Sequence, residues 1–469
     1  MQIHFPESYS PEQMTILRRA PRKIEIIKGA AGSGKTVTAL LKMAFVANYY
    51  LRAHGRARVQ VLSFNRTLQS YVKEIMEHPS FSRRLAGSGN LDLSVDTFAK
   101  WALRVCGRKE RDIRNPKEYL CTLSANRANR PLGSRFDDDF IADEMEYVLK
   151  RFPHDNLSAY IGATRTGRGQ SPAITGNERK ILIEEYISPY IEWKERIGVD
   201  DWSDLAWEAY RRTGPAYDII VVDEGQDFSA NQYRAVMKSL LPDSCFICVV
   251  DSAQNIYLNG FTWNECGIDA VHNHPQTLGH NFRNTREIAR LAAALLEGMH
   301  LDENGVMPAL DDVMPSGPIP ILLEGIFTHQ FSYMIDCIRK AESLHETSAV
   351  LIKSEKWFEG ARRGLREAGI DFEEIVRAGE WPGSTAYVVL STMHSAKGLE
   401  FDHVFMPGVN DELFPAHTPP DSEAAERDRR LLAMAVARAR KTVVIGQKPG
   451  EACPYFDPIS DALLRRVRV

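Results

Sequence analysis

The sequence predicts an α/β protein made of two parallel-sheet lobes, with a mostly helical insertion in the first. Three observations predict it. Short runs rich in Val and Ile recur at 24–27, 59–64, 219–222, 246–250, 319–323, 349–352, 387–390, 404–406 and 442–445. Many of them lack period-two alternation, as strands buried on both faces of a parallel sheet do. Helical patterns such as 35–50 and 357–368 separate the runs, giving repeated β–α units. Between residues 106 and 204 that rhythm gives way to helix-like, aromatic-containing segments such as 178–196 and a basic glycine loop, Thr164-Arg-Thr-Gly-Arg-Gly169. The expected division is a first lobe over 1–105, the helical insertion over 106–205, the rest of the first lobe over 206–275 and a second lobe over 276–469.

Length and composition bound the alternatives. At roughly 150 residues per domain, 469 residues make about three domains, which rules out a single small binding module. With 44% apolar and 26% charged residues the chain is composed like a folded globular protein and not a disordered one. The 58 basic and 62 acidic residues leave a net charge of −4, so a polycation is excluded and any nucleic-acid surface must come from local clustering. No apolar run approaches the roughly 18 residues of a membrane span, and the start lacks a basic stretch followed by a hydrophobic one; the expectation is a cytoplasmic protein with no membrane partner. Seven cysteines fit reduced thiols better than a disulfide framework. Cys245 and Cys248 fall within one apolar strand run, where residues three apart face opposite sides, and so read as core thiols.

The first chemical motif is Gly29-Ala30-Ala31-Gly32-Ser33-Gly34-Lys35-Thr36, placed between a strand and a helix. This is the G-x-x-x-x-G-K-[ST] phosphate loop in its required context. Its glycines let backbone N–H groups wrap phosphates, the helix N-terminus adds positive potential, Lys35 reaches the β and γ phosphates and Thr36 ligates magnesium. The strand at 219–222 ends on Asp223-Glu224-Gly-Gln-Asp227. A carboxylate at the end of a buried strand needs a cation, which makes Asp223 a magnesium holder, directly or through a bound water, and Glu224 the group that activates an attacking water.

With these motifs the chain resembles superfamily 1 helicases of the UvrD, Rep and PcrA group, and the resemblance implies two RecA-like lobes, the P-loop NTPase fold. Ser10-Pro-Glu-Gln13 resembles the Q motif, in which Gln13 would read adenine. Val250-Asp-Ser-Ala-Gln254 resembles motif III, in which Gln254 would sense the γ-phosphate. Asn281-Phe-Arg-Asn284 resembles motif IV, implying that Phe282 stacks on adenine and Arg283 reaches the γ-phosphate. Ser391-Thr-Met-His-Ser-Ala-Lys-Gly-Leu-Glu-Phe401 is close to motif V, followed by Glu412-Leu-Phe-Pro415; there Glu400 would contact the nucleotide side and Thr392 and His394 the nucleic-acid backbone. The segment 428–439 resembles motif VI and makes Arg438 an arginine finger.

The same resemblance nominates a strand track. Ser63-Phe-Asn-Arg66 is similar to motif Ia, with Phe64 stacking on a base, unless it packs in the core, and Arg66 on a phosphate. Asp96-Thr-Phe98 is similar to the T-F-H motif, with Thr97 on the backbone, but Ala99 stands in the histidine position. Tyr257 follows motif III, whereas the base-stacking tryptophan is replaced by Asn259, leaving Trp263 as a substitute. Residues 104–115 carry five basic against two acidic residues, and Arg165 and Arg168 flank the glycine loop; both are further candidates for strand contact. Motif VI holds Ala433 and Ala437 where the group has Tyr and Thr. Only 107 residues separate Arg283 from Ser391, and the second lobe's own βαβ units, at about 30 residues or more each, fill them. The large accessory insertion of the group has no room here.

The expectation is a compact ATP- and magnesium-dependent DNA helicase or translocase acting on single-stranded DNA, with RNA left open and 3′-to-5′ polarity implied by resemblance, serving repair, recombination or phage defence. The alternative is a nucleic-acid-sensing ATPase subunit that regulates a partner such as a nuclease and unwinds little itself.

Overall fold

All nine apolar runs form strands in the computed structural model, which describes residues 9–29, 33–64, 66–83, 85, 90–109, 113–123, 130–166, 168, 172–250, 260–269, 275–279, 284–299, 314–375, 387–415, 418–419 and 422–469. The first lobe is a six-stranded sheet of β1 (Ile24–Gly29), β2 (Arg56–Ser63), β3 (Asn90–Thr97), β4 (Tyr217–Val222), β5 (Leu240–Val250) and β6 (Gln276–Leu278), in the order β3-β2-β4-β5-β1-β6. Every pairing is parallel. Because β6 pairs with β1, the first lobe keeps the chain through Leu278, slightly past the expected boundary at 276.

Around this sheet lie α1 (Pro11–Arg18), α2 (Lys35–His54), α3 (Arg66–Glu77), the single turn α4 (Pro79–Ser82) and α5 (Phe98–Cys106). The helical segment continues as α6 (Pro116–Cys121), α7 (Asp138–Arg151), α8 (Gly176–Leu182), α9 (Ser188–Ile197) and α10 (Trp202–Arg212), and α11 (Ala230–Lys238) follows β4. Residues 119–190 have an apolar core of their own, including Met145, Tyr160, Tyr186 and Tyr190. The insertion is nonetheless anchored to the first lobe. Arg151 makes a two-pronged ion pair with Glu265 at 2.6 and 3.0 Å, and the Asn231 amide donates to the carbonyls of Leu149 and Phe152 at 2.9 Å each.

One sheet face packs Ile27, Val59, Ile219 and Ile247 under α2, and the other packs Ile26, Leu62, Ile220 and Phe246 under α5, α10 and α11. Cys245 lies in the first core and Cys248 in the second, as strand alternation demands, and all seven cysteines are unpaired. Lys42, wholly buried in α2, pairs with Glu25 at 3.2 Å and donates to the carbonyls of Ile16 and Arg19. This holds α1, and with it Gln13, against the mouth of the phosphate loop.

The second lobe is a seven-stranded parallel sheet of β7 (Ile321–Glu324), β8 (Ser348–Ile352), β9 (Glu373–Ile375), β10 (Val388–Thr392), β11 (Phe401–Met406), β12 (Ala439–Gln447) and β13 (Arg465–Arg468), in the order β13-β7-β12-β11-β8-β10-β9. Helices α12 (Arg286–Leu295) and α15 (Glu423–Val436) cover one face, and α13 (Phe327–Ser343) and α14 (Phe358–Glu367) the other. None of the five apolar clusters formed by the described residues joins the two lobes. No helix among those residues is long and apolar enough to cross a membrane.

Candidate active site

In a parallel sheet the strand C-termini open onto one edge, where ligands of open α/β folds sit. At that edge β1 runs into the phosphate loop. A side chain at Gly29 would meet Ser33 Oγ at 2.6 Å and the Leu278 carbonyl at 2.9 Å, so only glycine lets the loop turn against β6. Gly34 has φ +75° and sits on the Gln13 carboxamide, which a Cβ would strike at 2.6 Å. Between them Ala30, Ala31 and Gly32 lie outside the described residues. Ser33 is 1% exposed, and its hydroxyl has no hydrogen-bond partner among the described residues. Such an orphan is costly and fits a loop shaped to receive acceptor oxygens.

Because β5 separates β1 from β4, the start of α2 and the end of β4 meet above it. The Thr36 hydroxyl donates to Asp223 at 3.0 and 3.1 Å to its two oxygens. Asp223 is 2% exposed, and burial, followed by the charge of Glu224, pushes its carboxyl up. A hydroxyl beside a buried carboxylate that is reluctant to ionise is a donor set that a divalent cation suits. Glu224 follows with φ +51°, a left-handed conformation that costs a non-glycine residue energy and that collects at functional sites. Burial pushes its carboxyl up, but Lys397, Lys35 and Arg438 outweigh that and hold it below the usual carboxylate range. The Gln226 amide also donates to it. At Gly225 any side chain would collide with Tyr233 Oη and Cys248 Sγ.

The second lobe supplies cations to this edge. Lys397, in the turn after β10 and 2% exposed, pairs with Asp227 at 2.6 Å and lies 3.9 Å from Glu224. Arg438 lies just beyond α15, also 2% exposed. Its Nε donates to the Met434 carbonyl at 3.1 Å and one Nη to the Leu399 carbonyl at 3.4 Å. The Asn284 amide donates to the carbonyls of Ala437, at 3.0 Å, and Ala439, gripping the backbone on both sides of Arg438. Replacing Asn284 by alanine strands two buried carbonyls and should cost about 1–3 kcal/mol, read as a lower urea midpoint; an unchanged midpoint would show the grip to be dispensable. Sequence reasoning missed Lys397, Asp227, Gln226 and Asn284 as site residues. All four stand inside recognised motifs, but nothing in a linear sequence says which charges from two lobes will meet.

The other sequence candidates are placed as follows. Gln13 is 6% exposed and caps its own helix: its Oε1 accepts from Ser10 N at 3.0 Å while its Nε2 donates to the Ser33 carbonyl at 3.4 Å. Gln254, Tyr257, Phe282 and Arg283 lie outside the described residues. Glu400 and His394 are half-buried in the motif V turn. Thr392 is mostly buried and closes that turn, accepting from Ser395 N at 3.0 Å and bonding the Ser395 hydroxyl at 2.8 Å. Thr97 caps α5 by accepting from Lys100 N at 3.2 Å. Phe64 is half-buried against the first-lobe core, and Arg66 opens α3, its side chain outside the description. Trp263 is half-buried and packs edge-on against Tyr233 and Phe261 at the rim of the first-lobe core.

Among the described residues, several side chains of the basic stretches are paired with carboxylates. Arg104 pairs with Asp96, Arg108 with Asp200 and Glu208, and Arg114 with Glu118. Arg165 and Arg168 have side chains 9% and 3% exposed and are held between Glu144 and Glu423. In this conformation they are not an open strand-binding loop, because folding brings to each a carboxylate distant in sequence.

Comparison with known proteins agrees with this architecture. The chain matches the model of an AAA domain over residues 13–259 and that of the UvrD-like helicase C-terminal domain over 379–448. Among curated proteins it is similar to a probable DNA helicase II homolog of Rickettsia conorii, 41% identical over 61 residues, 12% of this chain and 9% of that one. It is similar to ATP-dependent DNA helicase PcrA of Staphylococcus epidermidis, 44% identical over 61 residues, 12% and 8% of the two chains. It is also similar to ATP-dependent DNA helicase Rep of Salmonella typhimurium, 34% identical over 68 residues, 14% and 10%. Each match thus spans a tenth or less of the relative's length. A solved C-terminal domain of a possible DNA helicase from Lactobacillus plantarum aligns with 39% of this chain and 98% of its own, at 20% identity and a TM-score of 0.30. The AAA domain model covers more than half of the chain, so the chain belongs to that AAA domain family; the UvrD-like model matches part of its second lobe, consistent with a UvrD-like superfamily 1 helicase.

Proposed function

We propose that the cleft between the lobes hydrolyses ATP with magnesium, and that turnover drives translocation along single-stranded DNA in the 3′-to-5′ direction, with weak or short-range unwinding. One observation carries this reading: the Thr36–Asp223 pair and Glu224 of the first lobe face Lys397 and Arg438 of the second. The phosphate loop, from Gly29 to Thr36, would hold the phosphates, with Lys35 as their point charge. Magnesium held by Thr36 and Asp223 would neutralise charge on the β and γ phosphates. Glu224, kept ionised by its cationic surroundings, would take the proton of the attacking water. Arg438, together with Arg283, would stabilise the transferred phosphoryl group from the second lobe, and Gln254 would report its presence. Gln13, Phe282 and Glu400 would hold the base and ribose once Gln13 leaves its capping contact. With a phosphate loop in the first lobe only, one ATP serves both lobes.

Phe64, Arg66, Thr97, Tyr257, Thr392 and His394 remain the proposed strand contacts. The deciding experiment measures ATP turnover with single-stranded DNA, duplex DNA and RNA in parallel, at stepped salt. Stimulation by the single strand should be strongest and fall steeply with salt, because phosphate contacts release counterions. Lys35→Ala should lower turnover about 10²- to 10³-fold, the usual cost of removing one donor to developing charge; wild-type turnover in that variant would refute the phosphate-loop role. On 3′- and 5′-tailed duplexes of increasing length, long unwinding in a single binding event would contradict the weak-unwinding reading. Strand-stimulated turnover with no strand separation would favour the sensing subunit that acts through a partner such as a nuclease.

A further inference from the structure

The described ionic contacts between the lobes fall in two places. One is Lys397 at the cleft. The other lies far from it, where the insertion meets the first turn of α15. There Arg165 and Arg168 each bridge two carboxylates from different lobes. Arg165 reaches Glu144 of α7 at 2.7 Å and Glu423 of α15 at 3.2 Å, and Arg168 reaches the same two at 2.8 and 3.1 Å. Glu144 is wholly buried and also accepts from Tyr160. One turn further along α15, Arg427 pairs with Asp143 at 3.1 Å.

Three features set this cluster apart from ordinary surface pairing. First, no apolar cluster among the described residues joins the insertion or the first lobe to the second, so charge and not a shared core holds this contact. Second, it is incompletely satisfied. Arg168 Nε is buried with no partner among the described residues, and a buried ionic cluster that is not fully bonded stabilises little and can be exchanged for another arrangement. Third, its two sides are unequal. Burial pushes Glu144 up but the arginines and Tyr160 more than reverse it, whereas for Glu423 burial prevails and the carboxyl is pushed up. The tie to the second lobe is the weaker one.

The helix so held leads straight to the cleft. At 1.5 Å per residue, the 14-residue α15 puts Glu423 about 20 Å from Arg438, along one rod. At the far end of that rod Arg438 donates to the Met434 and Leu399 carbonyls. We propose that the insertion loop is an autoinhibitory clasp: Arg165 and Arg168 hold α15 through Glu423 while Arg438 rests on backbone carbonyls, and the clasp opens before Arg438 is delivered to the reacting phosphate. Single-strand phosphates are a suitable opener, since a guanidinium fork binds phosphate as well as carboxylate. This rests on the proposed ATP chemistry, but the clasp can be read without it.

The test uses trypsin, which needs an accessible arginine. In the folded 469-residue chain, cleavage after Arg165 and Arg168 should be slow, and Glu423→Gln should accelerate it about 10- to 100-fold, the weight of one charged hydrogen bond. Cleavage after Arg151, buried in the insertion's anchor, should not change and so reports any global unfolding. Arg427→Glu should also accelerate loop cleavage, and Asp143→Arg in the same chain should restore protection; that pair covers the case in which Glu423→Gln fails to fold. With ATP and no strand, Glu423→Gln should turn over about tenfold faster than wild type, by the same arithmetic, with correspondingly less stimulation by single-stranded DNA. Unchanged cleavage overturns the clasp. So does faster cleavage with unchanged or lower strand-free turnover, because the contact would then be structural only. If instead wild-type turnover ignores every strand, the proposed function fails while the cleavage and strand-free turnover comparisons still decide the clasp.

Discussion

Replacing Arg438 by alanine is expected to lower the maximal rate of ATP hydrolysis about 10³- to 10⁵-fold, the range found for arginine fingers, with ATP affinity changed far less. The residue is almost completely buried and near enough to Glu224 to lower its proton affinity, so its charge already bears on the cleft. A guanidinium that acts on charge developing in the transition state contributes to rate and not to ground-state binding. Its flanks are gripped by Asn284, so the backbone should survive the loss of the side chain. Arg438→Lys is the control: it keeps the charge but loses the planar fork, and should recover only part of the rate. Single-turnover hydrolysis beside a nucleotide-binding titration separates the two effects. A loss of affinity with the maximal rate unchanged would refute the finger role.

Glu224→Gln is expected to slow hydrolysis about 10²- to 10⁴-fold, the usual contribution of a positioned general base, while ATP and magnesium still bind. The substitution conserves shape at a strained position, φ +51°, so it removes charge with little change of geometry. Lys397 would keep its 2.6 Å pair with Asp227, and the contact between the lobes should therefore survive. Thr36 and Asp223 are untouched, which predicts a stalled, nucleotide-bound protein. Normal turnover in this variant would place the base elsewhere.

Much of the architecture was legible before any coordinates. Strands in the middle of the two sheets are buried on both faces and so carry continuous Val- and Ile-rich runs; all nine were recognised. The four that were not, β3, β6, β9 and β13, are the four sheet edges. An edge strand is paired on one side only and half-solvated, so Asn90–Thr97 alternates apolar with polar residues and Arg465–Arg468 is nearly all charged, and neither carries a continuous apolar run. Their pairing depends on a neighbour already in place.

The site divides along the same line. Gly29, Gly34, Lys35, Thr36, Asp223 and Glu224 were proposed from order along the chain, because the chemistry proposed for them needs local geometry: a tight turn, a helix start, the end of a buried strand. Thr97 and Thr392 have a structural part that order along the chain did not reveal, since each hydroxyl also caps its own helix or turn. Whether a polar side chain serves its own backbone or a ligand is settled by its neighbours. The basic loop at 164–169 is the clearest case. Local composition marks it as a surface for anions, yet Glu144 and Glu423, the latter 255 or more positions away in sequence, occupy its arginines. Local backbone preference and burial pattern act over a few residues and are written along the chain. Compensation of a buried charge requires a specific opposite charge within about 4 Å, and only the closed tertiary structure determines which residue that is.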